Sequence, residues 1–546
     1  MPGPAMYIIS QTGDAQDNYF TANPQISYFS SVFRKHTKFS IQTTRYQITP
    51  DSSENGVKLH YTNDTKSTVK IRRDGDLLKS LYISVDLPDI YSGIYNASNS
   101  YKFKWIRNIG YHMIKNIKLS IGTTVIQEYT GEFLDVAKEL YLSKEEKEAT
   151  EKCIGHLPEL YDPARGKGQV ELNTSTDKYV PLYPNSVKNS ATNGVYGGID
   201  GSYSGGGSLV NASDTINTST TFPSIQGRTL KIPIQFYFQR NSGFALPLIS
   251  LSKMETELEI TFRPVKDLFT ILNNTGDENT IATQRGKLST GDISIFTSET
   301  ETNGLDINPQ LEANYVFLTT NERRRFVTEV NRYLIEKIRK IDVDNINITT
   351  SNERSIQVKS ENHVKEIIIV PKRSDAQEVN EWDNYTNWIQ KDVPPYSFYG
   401  QFGEALYNNT QSEFCFPNLN IAGAPGLPSK SIMKKDIIET IELKLDNNTL
   451  FERQDNMYYQ NQVPLEYHKS NPKDGIHVYS FSLMPKEKQP TGSIGMSGHT
   501  LTCNFKFQDL SSSFPTNTDY KFHIDIYVVE YNILKIMNGE ASFEFI

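Results

Sequence analysis

Residues Arg228–Val265 read RTLKIPIQFYFQRNSGFALPLISLSKMETELEITFRPV. Apolar side chains occupy every second position at Ile232, Ile234, Phe236 and Phe238. They do so again at Leu258, Ile260 and Phe262, with Glu257, Glu259 and Thr261 between them. A period of two puts one set of side chains on a buried face and the other toward water. QRNSG supplies turn chemistry, and ALPLISL is an apolar run that needs burial on both sides. Pro247 has no amide hydrogen and so belongs at a strand start or edge. The spacing predicts two strands joined by a polar turn, as a piece of a β-sandwich.

The same periodicity extends in both directions. Leu81, Ile83 and Val85 alternate after a turn at Asp74-Gly75-Asp76, and Ile117, Leu119 and Ile121 alternate up to Gly122. Downstream, Tyr315, Phe317 and Leu318 read as strand, and NERRRF from Asn321 to Phe326 as a short capped helix. HVKEIIIVPKR, from His363 to Arg373, reads as a strand buried on both faces. Three further alternating runs are Ile441-Leu443-Leu445, Cys503-Phe505-Phe507 and Phe522-Ile524-Ile526-Val528. Leu134–Ile154 is the one long helix expected, its glutamates and lysines forming a solvated face.

At 546 residues the chain exceeds what one core supports. We divide it into an arm at 1–24, a first domain at 25–265 with a long loop at 167–226, a connector at 266–310, and a second domain at 311–546 with a loop at 374–429. GGIDGSYSGGG in the first loop lacks the Gly-Lys-Ser/Thr that a phosphate loop needs. Asp342, Asp344 and Asn345 lack the glycine and closing glutamate of a calcium loop. His112 is isolated, and His468 and His477 have no third ligand in view, so no metal or cofactor is expected. The three cysteines are sparse and far apart, which argues against a disulfide framework. No apolar run is long enough to span a bilayer, and the first residues lack the pattern of a secretory signal. With a net charge of −8 and only a small basic cluster at Arg34, Lys35, His36 and Lys38, direct nucleic-acid binding is not expected. Paired carboxylates for glycan hydrolysis cannot be singled out among the many Asp and Glu.

Seven pieces, in order, resemble one family. They are NPQISYFSSVFRKHTKF from Asn23 to Phe39, WIRNIG with LSIG from Trp105 to Gly122, and the opening segment. YVFLTTNERRRF with RYLIE, HVKEIIIV, and GIHVYSFSLMPKEKQPTGS follow, and then EYNILKIMNGEASFEF at the C-terminal end. Together they resemble the major capsid proteins of the nucleocytoplasmic large DNA viruses. The chain departs from the family pattern after Gly492 and at Glu540-Ala541-Ser542, which bears on lineage.

The resemblance implies an all-β fold of two consecutive eight-stranded antiparallel jelly rolls, with long surface loops and a few short helices. It also implies a structural, non-enzymatic virion protein: a homotrimer forming a pseudo-hexameric capsomer that tiles an icosahedral shell. Neighbouring capsomers, minor capsid proteins and an internal membrane would be its partners, with assembly in the host cytoplasm. The long loops would stand outward, and the arm with the Arg34–His36 region toward the base. Loop aromatics and arginines are enriched at interface cores, so Trp382, Trp388, Arg323 and Arg325 join Arg34, Lys35 and His36 as expected inter-subunit contacts. The alternatives are a scaffold or minor capsid protein of the same fold, or a glycan-binding or glycan-hydrolysing β-sandwich.

Overall fold

A computed structural model describes residues 15–51, 58–92, 99–163, 221–273, 304–347, 351–374, 380–388, 435–508 and 521–545, with a few short pieces between them. Most of the two long loops therefore lies outside the described residues. Residues 1–40 form one compact unit and 41–546 another. In the first, the helix Ala15–Thr21 has no buried residue, and Tyr19, Phe20, Tyr28, Phe29, Val32 and Phe33 are all exposed.

Among the described residues, four sheets of antiparallel strands build two sandwiches. In the first, β1 (Phe39–Gln47), β3 (Leu77–Leu87), β6 (Arg228–Pro233) and β8 (Gln310–Leu318) form a sheet of order β1-β8-β3-β6. The facing sheet has the order β2-β7-β4-β5, from β2 (Thr65–Ile71), β4 (Ile114–Ile121), β5 (Thr124–Thr130) and β7 (Thr256–Phe262). In the second sandwich one sheet runs β9-β16-β11-β14, from β9 (Asn331–Ile346), β11 (His363–Arg373), β14 (His477–Ser480) and β16 (Phe522–Met537). Its partner runs β10-β15-β12-β13, from β10 (Glu353–Lys359), β12 (Ile438–Leu445), β13 (Asn448–Asp455) and β15 (Thr500–Phe507). Adjacent strands in all four sheets are antiparallel wherever their register is defined.

The opening segment behaves differently from the sequence expectation. β6 and β7 are strands, but they lie in opposite sheets rather than in one hairpin. β6 stops at Pro233, and Phe236 and Phe238 are buried around a helical turn at Tyr237–Arg240 instead of on a strand. The Gln239 side chain holds that turn, accepting from the Phe236 amide at 3.2 Å and donating to the Leu81 carbonyl at 2.8 Å. ALPLISL forms one bridge, between Leu246 and Leu78, and then a 3₁₀ turn at Leu248–Ser250. β7 keeps strict alternation, with Leu258 opposite Val69 on one side and Leu119 on the other.

Two boundaries also move. β8 is hydrogen-bonded into the first sandwich along β3, so the second domain begins after Leu318 rather than at 311. The connector is part of the first domain as well: Phe269–Asn273 pairs with Asn99–Trp105, and Gly304–Asp306 with Lys58–His60. The single expected helix is two, α1 (Gly131–Tyr141) and α2 (Lys144–Cys153), separated where Ser143 starts a capping box with Glu146. A third helix, α3 (Thr320–Thr328), joins the two sandwiches in sequence.

Candidate functional site

The feature that organises the molecule is the sheet β9-β16-β11-β14, which is covered on both faces. Along β16, Ile524, Ile526 and Val528 face the second sandwich's own core, with Ile367 and Ile369 of β11. Tyr527 and Val529 of β16, with Ile368 and Val370 of β11, join the core of the first sandwich instead. This is why HVKEIIIVPKR lacks alternation, since each face needs apolar residues.

Helix α1 is the first domain's contribution to this seam. Thr130 caps it by accepting from the Phe133 amide at 3.1 Å. Gly131 lets its first turn lie against the Ile109–His112 turn, because a Cβ there would come within 2.0 Å of the Tyr111 carbonyl oxygen. Phe133 and Leu140 fill the first core, and Phe133 meets Tyr527 across the seam with ring centroids 5.2 Å apart.

The polar face of α1 is buried too, which corrects the expectation of a solvated charge run. Glu132, Asp135, Lys138 and Glu139 are at most 6% exposed, whereas α2 has no buried residue and does present a solvated face. Three ionic groups form where this face meets the second domain. Glu132 pairs with Arg263 at 2.9 Å and with Lys372 of β11, which also binds Asp525 of β16. Asp135 contacts Lys138 at 3.0 Å, Lys473 at 3.5 Å and Asn108 at 2.8 Å. Glu366 of β11 binds His468 at 2.9 Å and accepts from the Tyr141 hydroxyl, while Lys365 pairs with Glu336 at 2.7 Å. A bulge between Val364 and Glu366 breaks the alternation there; Lys365 lies over the Tyr141 ring and Glu366 meets the hydroxyl of the same tyrosine.

Burial alone would raise the carboxyls in this seam. Lys372 and Arg263 outweigh it at Glu132 and hold that group well below its ordinary range. At Glu366, burial is likewise outweighed by His468 and Lys365, bringing it down to about 2. Asp525 goes the other way, because burial dominates and Glu132 competes for Lys372. His112 lies against Asp135 at 3.8 Å, and burial pushes it down to about 4. Paired buried charges add little net stability over an apolar filling, but each is costly to leave alone. The seam therefore fixes one arrangement of the two sandwiches.

The residues expected at inter-subunit contacts divide by environment. Arg34, Lys35 and His36 are exposed in the first unit. On α3, Arg323 pairs with Asp76 at 2.9 Å and Arg325 with Glu329 at 3.0 Å, and both remain more than half exposed. Trp382 is half-buried within the chain: its indole donates to the Asp267 carbonyl at 3.0 Å, and the Arg263 guanidinium lies 3.9 Å from its ring centroid. Trp388 is also half-buried, with the Lys435 ammonium 4.7 Å from its ring. Among the described residues no group of His, Cys, Asp and Glu has the arrangement of a metal site, and no helix is long and apolar enough to cross a membrane.

Two consecutive sandwiches of antiparallel sheets are the fold of the double jelly-roll capsid proteins. The PBCV-1 capsid protein superposes with a TM-score of 0.58 at 16% identity, over 95% of this chain and all of that one. The Faustovirus major capsid protein does so with a TM-score of 0.56 at 12% identity, covering 97% and 96%. In sequence, residues 27–319 match the major capsid protein N-terminus family, and 322–542 match the large eukaryotic DNA virus major capsid protein family. The junction between the two matches falls at the β8–α3 boundary. The major capsid protein of Phaeocystis pouchetii virus is 25% identical, with 99% of this chain and 98% of that one aligned. Capsid protein 1 of Acanthamoeba polyphaga mimivirus is 22% identical, with 97% of each aligned. The chain belongs to the major capsid proteins of the large eukaryotic DNA viruses, and its role is structural, not enzymatic.

Proposed function

We propose that the chain trimerises into a pseudo-hexameric capsomer that tiles an icosahedral shell. The observation that carries this reading is the seam. Each chain contributes two sandwiches joined through one seam, and three chains around a closed axis supply six for a hexagonal tile. Arg34, Lys35, His36, Arg323 and Arg325, with the outward parts of Trp382 and Trp388, serve as inter-subunit contacts. The arm's exposed aromatics cover themselves against a neighbour or an underlying layer. Neighbouring capsomers, minor capsid proteins and an internal membrane complete the partners, with assembly in the host cytoplasm. Light scattering on a sizing column, across a dilution series, tests the core of this reading. The expected species has three times the 62.1 kDa chain mass and persists on dilution. A stable monomer at every concentration would overturn it.

A further inference from the structure

A buried, unpaired histidine can accept a proton only by finding an acceptor or water, so it acts as a trigger wherever the structure around it can open. Two such histidines lie at one place where the two sandwiches meet. Residues 469–476, between the helical turn Pro464–His468 and β14, form a strap from the second sandwich to α1. The strap bends at Lys469 and Gly475, both at positive φ, and a Cβ on Gly475 would stand 2.1 Å from the Tyr385 carbonyl oxygen. Its Lys473 side chain is 12% exposed and lies 3.5 Å from Asp135 Oδ2, 3.4 Å from Glu139 and 3.6 Å from Asp383.

Asp135 has no free oxygen. Its Oδ1 meets Lys138 at 3.0 Å and Asn108 at 2.8 Å, and its Oδ2 takes the Tyr385 hydroxyl at 3.4 Å beside Lys473. His112 Nε2 lies 3.8 Å from that same Oδ2, and neither ring nitrogen of His112 makes a hydrogen bond. Glu132, Asp383 and Arg263 are the other charges acting on it. His156 stacks on Tyr161 with ring centroids 5.0 Å apart, and its Nδ1 is also without a hydrogen bond. Lys473 and Lys138 act on it from one sign, Asp383 and Asp135 from the other. Glu151 on Lys138 and Lys147 on Glu139 complete the cluster. Burial pushes His112 and His156 each down to about 4, so both are neutral at pH 7.

We propose that the strap is an acid-released clasp: protonated His112 takes Asp135 Oδ2 from Lys473, protonated His156 repels the same lysine, and the strap lifts from α1 while both sandwiches stay folded. Once it lifts, water reaches both rings and their affinity for protons returns to the ordinary value. The clasp is therefore fully stabilised above pH ~6.5 and loses that stabilisation as pH falls toward 4. It makes one contact between the sandwiches responsive to acid without loss of the fold, in the single chain and in any assembly of it.

Hydrogen exchange read by mass spectrometry on the full chain at pH 7.5 and 4.5, with rates corrected for the intrinsic effect of pH, tests it. Protection of residues 469–476 is expected to fall at least tenfold further than that of β16. In a His112→Gln, His156→Gln double variant the strap should stay protected at pH 4.5, and in Lys473→Met it should be open at both pH values. A wild-type strap protected equally at both pH values overturns the clasp. Strap and β16 losing protection together also overturn it, because the chain then unfolds as a whole. A double variant that opens as the wild type does removes the histidines as the trigger and overturns it too. The wild-type comparison of strap with β16 decides the matter even where the double variant does not fold.

Discussion

The two faces of the β9-β16-β11-β14 sheet are equally buried but chemically opposite. Facing β12 and β15, the sheet presents Ile367, Ile369, Ile524, Ile526 and Val528 to a dry core. Facing α1, the same strands present Lys372, Glu366, Asp525 and Glu336 within a frame of Tyr527 and Val529. The dry face draws its stability from area removed from water and tolerates changes in shape. The ionic face adds little net energy when intact and a large penalty when a single partner is missing. One face supplies stability, and the other dictates how two domains meet.

The sharpest way to break this comparison is Lys372→Met, which leaves Glu132 and Asp525 facing each other at the seam without their shared cation. A loss of about 3–5 kcal/mol in urea unfolding is expected, as for other broken buried pairs. A loss under 1 kcal/mol would mean that the seam is wetter than its burial indicates.

Acid comes next, because buried histidines titrate on both sides of the sheet: His112 behind the seam and His477, in register with Ile369, on the dry side, each pushed by burial down to about 4. The folded His112 value of about 4 lies below the ordinary value of ~6.5, so on acidification the unfolded chain takes up the proton first. The stabilisation is therefore complete above pH ~6.5 and is lost as pH falls toward 4, by roughly 3 kcal/mol. Denaturation midpoints measured between pH 7.5 and 4.5 should fall, and His112→Gln should flatten that slope. Below this window, Glu366 continues the loss as pH drops from ~4.5 toward 2.

The smallest effect belongs to the dry face. Ile526→Val removes one buried methyl and should cost about 0.5–1.5 kcal/mol. That cost should be the same at pH 7.5 and pH 5, since His477, in the same row beyond Ile369, is held by burial down to about 4 and stays mostly neutral across that range. A pH-dependent cost would show that the two faces are coupled.

Most of the strands were legible in the sequence because a half-buried strand writes its burial as alternation, as Leu258, Ile260 and Phe262 do. Where a ladder ends by other means, alternation misleads. Pro233 stops β6, yet Phe236 and Phe238 stay buried in a helical turn with the spacing of a strand. The placement of β8 was hidden for a different reason. Strand propensity says that Gln310–Leu318 pairs, and only the register with β3 says with what.

The seam was half visible. The amphipathic pattern of α1 is in the sequence, but a helix's polar face is ordinarily the wet one, so its charges read as solvated. The missing signal lay elsewhere in the chain, in Lys365, Glu366 and Lys372 inside an apolar strand and Asp525 inside another. Charges inside a doubly buried strand require partners of opposite sign, and α1 offers them. Residue type alone points to Trp382, Trp388, Arg323 and Arg325 as inter-subunit contacts. The structure distinguishes the exposed α3 arginines from tryptophans already engaged within the chain.

A strand that serves two cores also constrains how the protein can change. Deleting one residue from the middle of β16 would rotate every side chain beyond it to the opposite face. Asp525 and Tyr527 would enter the dry core while Ile524, Ile526 and Val528 met the charges of α1. A single length change would thus be two packing faults at once. A length change is therefore expected to be tolerated only in the connecting loops, with β16 and β11 accepting substitutions alone.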